Sequence, residues 1–291
     1  MAQEESNLFN RVTIVGPGLL GASIGMAIQE KGIAKEIWAH LRNEKKRQVC
    51  NNSIWCKKAL TNLKDAVKQS DLVVVCTPVD NIIEQLPNLS EWVKPGCLVT
   101  DVGSLKQDIC LLARKSFLNK KAYFVGSHPM CGSEKEGMKY ATPKIFEQKH
   151  CIITPMGGEN KDNYQKIVSF WNSLGLKVTQ LTPEIHDQIV GSISHLPHII
   201  ATTLINTLDQ KNENWMSLSG NGLKDTTRIA SGNASMWGKI LLGNKDHLIL
   251  DIEQMIQKLN EFKEVLTLGD EKKLFALLAS AKKRRDQLND S

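Results

Sequence analysis

Two stretches of this 291-residue sequence gather side chains able to move protons and hold anions. The first holds Asp101-Val102-Gly103-Ser104 and then Gly126-Ser127-His128-Pro129-Met130-Cys131-Gly132-Ser133-Glu134-Lys135-Glu136-Gly137. Both pieces begin at the ends of predicted strands, at the carboxyl edge of a sheet, where open α/β folds bind ligands. A histidine in a loop there can take a proton from a hydroxyl as hydride leaves the same carbon. Taken alone, His128 reads more readily as a structural histidine than as a catalytic one. The second stretch opens with His186-Asp187 and Ser194-His195-Leu196-Pro197-His198. His195 and His198 are three apart and share a helix face, while Pro197 removes a backbone bond and predicts a kink beside them. No carboxylate or cysteine stands at a companion spacing, so no metal site is expected. Further on, Gly222-Leu223-Lys224-Asp225-Thr226-Thr227-Arg228-Ile229-Ala230 and Ser235-Met236-Trp237 add a cation and an aromatic ring. By itself Arg228 is either a surface ion pair or a clamp for a carboxylate.

A third motif precedes both. The run Arg11–Val15 leads directly into Gly16-Pro17-Gly18-Leu19-Leu20-Gly21 and then a helix predicted over Leu20 to Lys31. In a dinucleotide-binding turn the first glycine makes the bend, the second admits a pyrophosphate to backbone N–H groups, and the third lets helix and strand pack closely. The alternative is a glycine turn with no ligand, but the strand before it and the helix after it favour the dinucleotide. Thr77-Pro78, after the apolar run Leu72–Cys76, and Gly103 are further candidates for the cofactor site. An NAD site usually has an acid at the end of the second strand for the ribose 2′-hydroxyl. This sequence reads Trp38-Ala39-His40-Leu41-Arg42-Asn43 there. A guanidinium suits a 2′-phosphate, so Arg42 favours NADP. NAD remains the expectation if Arg42 stacks on the adenine or faces water.

The elements that must hold these motifs fall into two kinds. Strands predicted at Arg11–Val15, Glu36–His40, Leu72–Cys76, Leu98–Asp101, Tyr123–Ser127, Cys151–Pro155 and Lys177–Leu181 alternate with helices. Runs such as Leu72-Val73-Val74-Val75-Cys76 suit a parallel sheet covered on both faces, so residues 1–181 are expected to form a doubly wound, Rossmann-type α/β domain. From Thr182-Pro183-Glu184, a good helix start, no strand is evident, and residues 182–291 are expected to be all-helical. Long apolar helices in so small a unit point to a homodimer. Charged residues make up 23% and apolar ones 41%, an ordinary globular balance. The net charge of +6 does not call for nucleic acid, and the Lys282–Arg285 run reads as the solvated last turn of a helix. No apolar run reaches the ~20 residues of a membrane helix, and the acidic opening reads as no signal peptide. Seven cysteines without a C-x-x-C pair fit a reducing cytoplasm.

Together, GPGLLG, DVGS, GSHPMCGSEKEG, HD with SHLPH, and GLKDTTRIA with MW resemble the prephenate/arogenate dehydrogenases, the cyclohexadienyl dehydrogenases of tyrosine biosynthesis. The similarity runs in order from Val12 to beyond Trp237. It implies a helical, dimerising second domain and an NAD(P)-dependent oxidative decarboxylation. Hydride leaves ring C4 for the nicotinamide, the C4 hydroxyl becomes a carbonyl, and the ring carboxylate departs as CO2. The family pattern makes His128 the proton acceptor, with Ser104 hydrogen-bonded beside it, and Arg228 the holder of the ring carboxylate. His195, His198 and Trp237 would line the substrate pocket, with Ser133 and Glu134 at its mouth. Cys131 stands where the family commonly has alanine; it either packs as alanine would or exposes the site to oxidation. The competing readings are a dehydrogenase of the β-hydroxyacid or imine reductase type and a dinucleotide sensor without turnover.

Overall fold

The computed structural model describes residues 7–132, 135–157, 160–211 and 214–288. Its strands are β1 (Phe9–Val15), β2 (Ala34–His40), β3 (Lys58–Leu60), β4 (Leu72–Val75), β5 (Leu98–Asp101), β6 (Tyr123–Pro129), β7 (His150–Thr154) and β8 (Lys177–Gln180). Between them lie α1 (Leu19–Glu30), α2 (Glu44–Asn51), α3 (Leu63–Val67), α4 (Val79–Trp92), α5 (Gln107–Phe117) and α6 (Lys161–Ser173). Helices alone follow: α7 (Pro183–Val190), α8 (Leu196–Asp209), α9 (Asn214–Ser217), α10 (Asn221–Thr227), α11 (Ala234–Gly243), α12 (Lys245–Leu268) and α13 (Glu271–Gln287).

The strands form one sheet in the order β3-β2-β1-β4-β5-β6-β7-β8. Strand β4 shows why the apolar runs are continuous. Leu72 and Val74 join the core beneath α1 and α6, with Trp171 and Phe170, while Val73 and Val75 join the core beneath α4 and α5, with Leu86 and Ile109. Both faces are covered, as the sequence predicts. Chain order reverses at β1, which lies between β2 and β4, and that switch point opens a crevice at the carboxyl edge.

Two features depart from the expected set of strands and their directions. The three-residue β3, pairing with β2, has no alternation by which to be recognised. More consequentially, β7 runs antiparallel to β6. Among its described residues, the connection between them holds two short 3-10 turns, Met138–Tyr140 and Pro143–Phe146, and no crossover helix, so the chain returns in the opposite direction. Strand β6 is therefore shared: Tyr123 to Val125 pair with β5, and Gly126 to Pro129 pair with β7.

Thr182 caps α7 with its hydroxyl at the Ile185 N–H, and α7 runs on into α8 through an irregular turn. Gly191–His195 form a π-helical stretch, and α8 starts with Pro197 in its first turn. The wider turn accommodates a proline that supplies no N–H, and such turns gather at functional sites. By its internal contacts the chain forms two compact units, 1–244 and 245–291. Helix α7 packs against α5 and β7, and α11 against α4, which keeps them with the sheet. The second unit is the pair α12 and α13, joined at Gly269, whose φ of +64° suits glycine, with Asp270 capping α13. No described helix is long and apolar enough to cross a membrane.

Candidate active site

The glycine turn is built as its spacing predicts. Gly16 has φ +79°, and a side chain there would also strike Thr77 Cγ2 at 2.6 Å. Gly21 packs the helix onto the strand, since a Cβ would lie 3.0 Å from Ile14 Cγ2 and the Gly16 carbonyl. Gly18, in contrast, faces open space, with nothing within 4 Å of where its Cβ would be. It begins α1 without a side-chain cap, and the first turn of α1 carries no acid. A helix start with spare N–H groups and an open approach fits a pyrophosphate. Across the crevice, Pro78 begins α4 and Thr77 Oγ1 bonds Gln85 Oε1 at 3.3 Å. Gly103 is explained by packing, because a Cβ would come within 2.8 Å of Ile109 and 2.9 Å of Asp101. Arg42 is exposed just beyond β2, after the buried Leu41, and Asn43 caps α2 behind it. Arg47 is occupied by an ion pair with Glu44.

His128 stands inside strand β6, opposite Ile152, rather than in the loop after it. The antiparallel ladder with β7 carries the strand past the edge set by β5 and fixes the backbone of that residue. Its Nδ1 lies 2.8 Å from His186 Nε2, and His186 Nδ1 lies 2.7 Å from Asp187 Oδ1. Asp187 accepts the N–H of Lys106 on Oδ1 at 2.8 Å and that of Gln107 on Oδ2 at 2.9 Å. These are the first N–H groups of α5, which has no cap of its own. The Lys106 ammonium is wholly buried against Asp101. Asp101 also accepts the N–H of Gly103 at 2.9 Å and of Ser127 at 3.1 Å, tying the ends of β5 and β6 together.

Asn244 continues the network. Its amide donates to the Asp187 carbonyl at 2.8 Å and to His195 Nδ1 at 3.0 Å. Because that amide nitrogen can only donate, His195 Nδ1 accepts and its proton sits on Nε2. Trp237 meets His195 edge-on at 6.1 Å and stacks flat on His198 at 3.7 Å. Gly232 lets the indole close, since a Cβ there would sit 2.4 Å from Trp237 Nε1. His198 Nδ1 is buried with no hydrogen bond among the described residues. Arg228 begins the 3-10 turn Arg228–Ser231, which packs on α8 alongside His198.

Burial dominates the electrostatics of the histidines. It drives His128 well below its ordinary value, with His186, Lys106 and His195 adding repulsion. Burial also lowers His186 against the pull of Asp187, takes His195 down to about 4, and lowers His198 against the Ile229 carbonyl. The result is a set of neutral imidazoles at physiological pH, the form a proton acceptor needs.

The structure thus gathers His128, His195, His198 and Trp237 into one network, with Arg228 on a neighbouring turn. Ser104 lies on the same β5–α5 turn, but its hydroxyl makes no hydrogen bond among the described residues; the His128 nitrogen that is bonded goes to His186. Ser133 and Glu134 lie outside the described residues. Cys131 packs against the core, and burial pushes its thiol up to about 12, so it behaves as a small apolar residue. Reading motifs one at a time misses His186, Asp187, Lys106 and Asn244 as members of the network. The available signal for the pair at 186–187 is a helix start after Ser104 with no capping side chain, which requires an acceptor from elsewhere.

Known proteins share the sequence and fold of this chain. The family model "Prephenate dehydrogenase, nucleotide-binding domain" matches residues 24–180, and "Prephenate dehydrogenase, dimerization domain" matches 182–280. A prephenate dehydrogenase of Bacillus subtilis is 30% identical over 283 residues, covering 95% of this chain and 76% of the relative. A cyclohexadienyl dehydrogenase of Zymomonas mobilis is 26% identical over 259 residues, covering 85% and 88%. Among solved structures, prephenate dehydrogenase from Aquifex aeolicus, in complex with hydroxyphenyl propionate and NAD+, superposes with a TM-score of 0.89 at 29% identity, covering 96% of this chain and 98% of that one. An arogenate dehydrogenase of Synechocystis shares the fold, with a TM-score of 0.81 at 24% identity over 95% and 99%. With both halves matched and the glycine turn, the sheet-borne histidine and the helical histidine pair in place, the chain belongs to the prephenate dehydrogenase family.

Proposed function

We propose that this protein carries out the NAD(P)-dependent oxidative decarboxylation of prephenate to 4-hydroxyphenylpyruvate, or of arogenate to tyrosine, in tyrosine biosynthesis. The observation that carries the reading is a half-buried His128 locked by the β6–β7 ladder at the carboxyl edge of the sheet that bears the glycine turn, with its Nδ1 engaged by His186. A bound nicotinamide supplies the hydride acceptor. Gly16, Gly18, Leu19, Leu20 and Gly21 present the N–H groups and space for its pyrophosphate, with Thr77, Pro78 and Gly103 along the crevice. Arg42 favours the 2′-phosphate of NADP, because β2 ends without the acid that a ribose hydroxyl requires.

In the chemistry, His128 takes the proton of the C4 hydroxyl as that carbon is oxidised. The Arg228 guanidinium suits the ring carboxylate, which leaves as CO2 while the ring becomes aromatic. His195, donating from Nε2, and His198, stacked on Trp237, line the ring. Ser104 orients the substrate hydroxyl from the β5–α5 turn. Residues 1–181 hold the dinucleotide, and 182–291 supply substrate contacts and the dimer face. The exposed Ile249, Leu250, Ile256 and Leu259 of α12 suit a homodimer, and the setting is cytoplasmic.

The test is an assay of both substrates with both cofactors, followed at the reduced-nicotinamide absorbance, on wild-type enzyme and His128→Asn. The variant should lose about 10²–10⁴ in kcat with its fold intact. Undiminished activity of His128→Asn refutes the assignment of the base.

A further inference from the structure

We propose that His186 and Asp187 are positioning residues that set the tautomer of His128, leaving its Nε2 as the nitrogen that takes the substrate proton. The inference rests on reading His128 as the base and adds the reason that one of its nitrogens, and not the other, does the work.

Hydrogen-bond accounting along the chain gives a single answer. Both oxygens of Asp187 already accept main-chain N–H groups, from Lys106 at 2.8 Å and Gln107 at 2.9 Å. The hydrogen in its 2.7 Å contact with His186 therefore belongs to His186 Nδ1. A neutral imidazole carries one N–H, so His186 Nε2 presents a lone pair. Across the 2.8 Å contact, the hydrogen must then come from His128 Nδ1. That leaves the Nε2 of a neutral His128 unprotonated. The opposite tautomer of His128 would face two lone pairs against each other at hydrogen-bond distance, in a setting with little water to relieve them.

The surroundings reinforce the assignment. Burial holds both rings neutral, His128 well below its ordinary range. The charged and titratable groups facing His128 are His186, Lys106 and His195; Lys106 and His195 oppose a positive charge on the ring. When Nε2 takes up a proton, the resulting imidazolium keeps its Nδ1–H on His186, and Asp187 holds the far side of that ring. The arrangement follows the logic of a catalytic triad, in which a carboxylate selects the tautomer of the working imidazole, here with a second imidazole interposed. Asp187 also caps α5, the helix that follows Ser104, so the ring orientation of His128 and the placement of that turn depend on one carboxylate.

The direct test needs no substitution. Nitrogen-15 shifts of histidine-labelled wild-type protein should show His128 protonated at Nδ1 and bare at Nε2 near neutral pH. The reverse pattern, or a doubly protonated ring, overturns the proposal. Kinetics supply a second test. His186→Phe keeps a ring but offers no acceptor, and should cut kcat on the order of 10²-fold with a much smaller change in KM. His186→Gln, whose carboxamide oxygen can still accept from His128 Nδ1, should recover a substantial part of that loss and shift the acid limb of the kcat/KM profile less than His186→Phe does. A His186→Phe enzyme with wild-type kcat and pH profile overturns the positioning role if His128→Asn is inactive. If His128→Asn is itself active, the base assignment fails first.

Discussion

Acidification from about pH 7.5 to about pH 5 should cost this protein much of its stability, through histidines that the fold keeps neutral. His40, His128, His186, His195 and His198 are each held below their ordinary value, chiefly by burial. Since the folded values are depressed, the unfolded chain binds protons that the native one refuses. Their stabilisation is complete above the unfolded value and drains away as pH falls toward the folded one. His195 sets the scale, with a folded value of about 4 against 6.5. At about 1.4 kcal/mol per pH unit, it alone withdraws about 2 kcal/mol between pH of about 6.5 and 5. The other four act in the same direction, against a total that for ordinary domains is about 5–15 kcal/mol. Urea unfolding at a series of pH values measures this directly. His195→Gln, which preserves an acceptor for Asn244, should show about 2 kcal/mol less pH dependence over that window than wild type. A flat stability from pH 7 to 5, or a variant as acid-sensitive as its parent, refutes the account of a neutral histidine cluster.

Other substitutions separate packing from binding. Gly18→Val should leave the melting temperature nearly unchanged and weaken dinucleotide binding by an order of magnitude or more, whereas Gly21→Ala, pressed between Ile14 and the Gly16 carbonyl, should cost about 1–3 kcal/mol of stability; calorimetry and cofactor titration distinguish them. Lys106→Met strands the buried Asp101 carboxylate and should destabilise by about 3–5 kcal/mol in denaturant titration. Arg42→Ala should lower kcat/KM for NADP by about 10-fold or more and leave the value for NAD nearly unchanged, in steady-state assays with each cofactor.

The parts legible in the sequence are those whose physics is local. The glycine turn declares itself through spacing alone, because one residue needs positive φ, one needs space and one needs contact. Continuous apolar runs such as Leu72–Val75 announce a sheet covered on both faces. The reversal of β7 was not legible, because strand direction depends on whether the connection contains a crossover helix, and 3-10 turns leave no strong periodic trace. The histidine partners were hidden for a related reason. His128 and His186 are 58 residues apart, and nothing in either local pattern shows that α7 packs against α5 and β7. The capping of α5 by Asp187 is equally remote, although the missing local cap was there to be noticed. Ser133 and Glu134 remain expectations from the family pattern.

The sharing of β6 between two neighbours has a consequence for enzyme engineering. The imidazole at its end is mounted on a double rail: β5 grips the approach and β7 grips the tip, with Pro129 held opposite Cys151. Exchanges among relatives that aim to retune which ring side chain is admitted must therefore stop short of His150, because β7 holds the tip and His186 and Asp187 orient the imidazole from further along the chain. Chimeras that replace only residues 130 to 149 are the natural starting library.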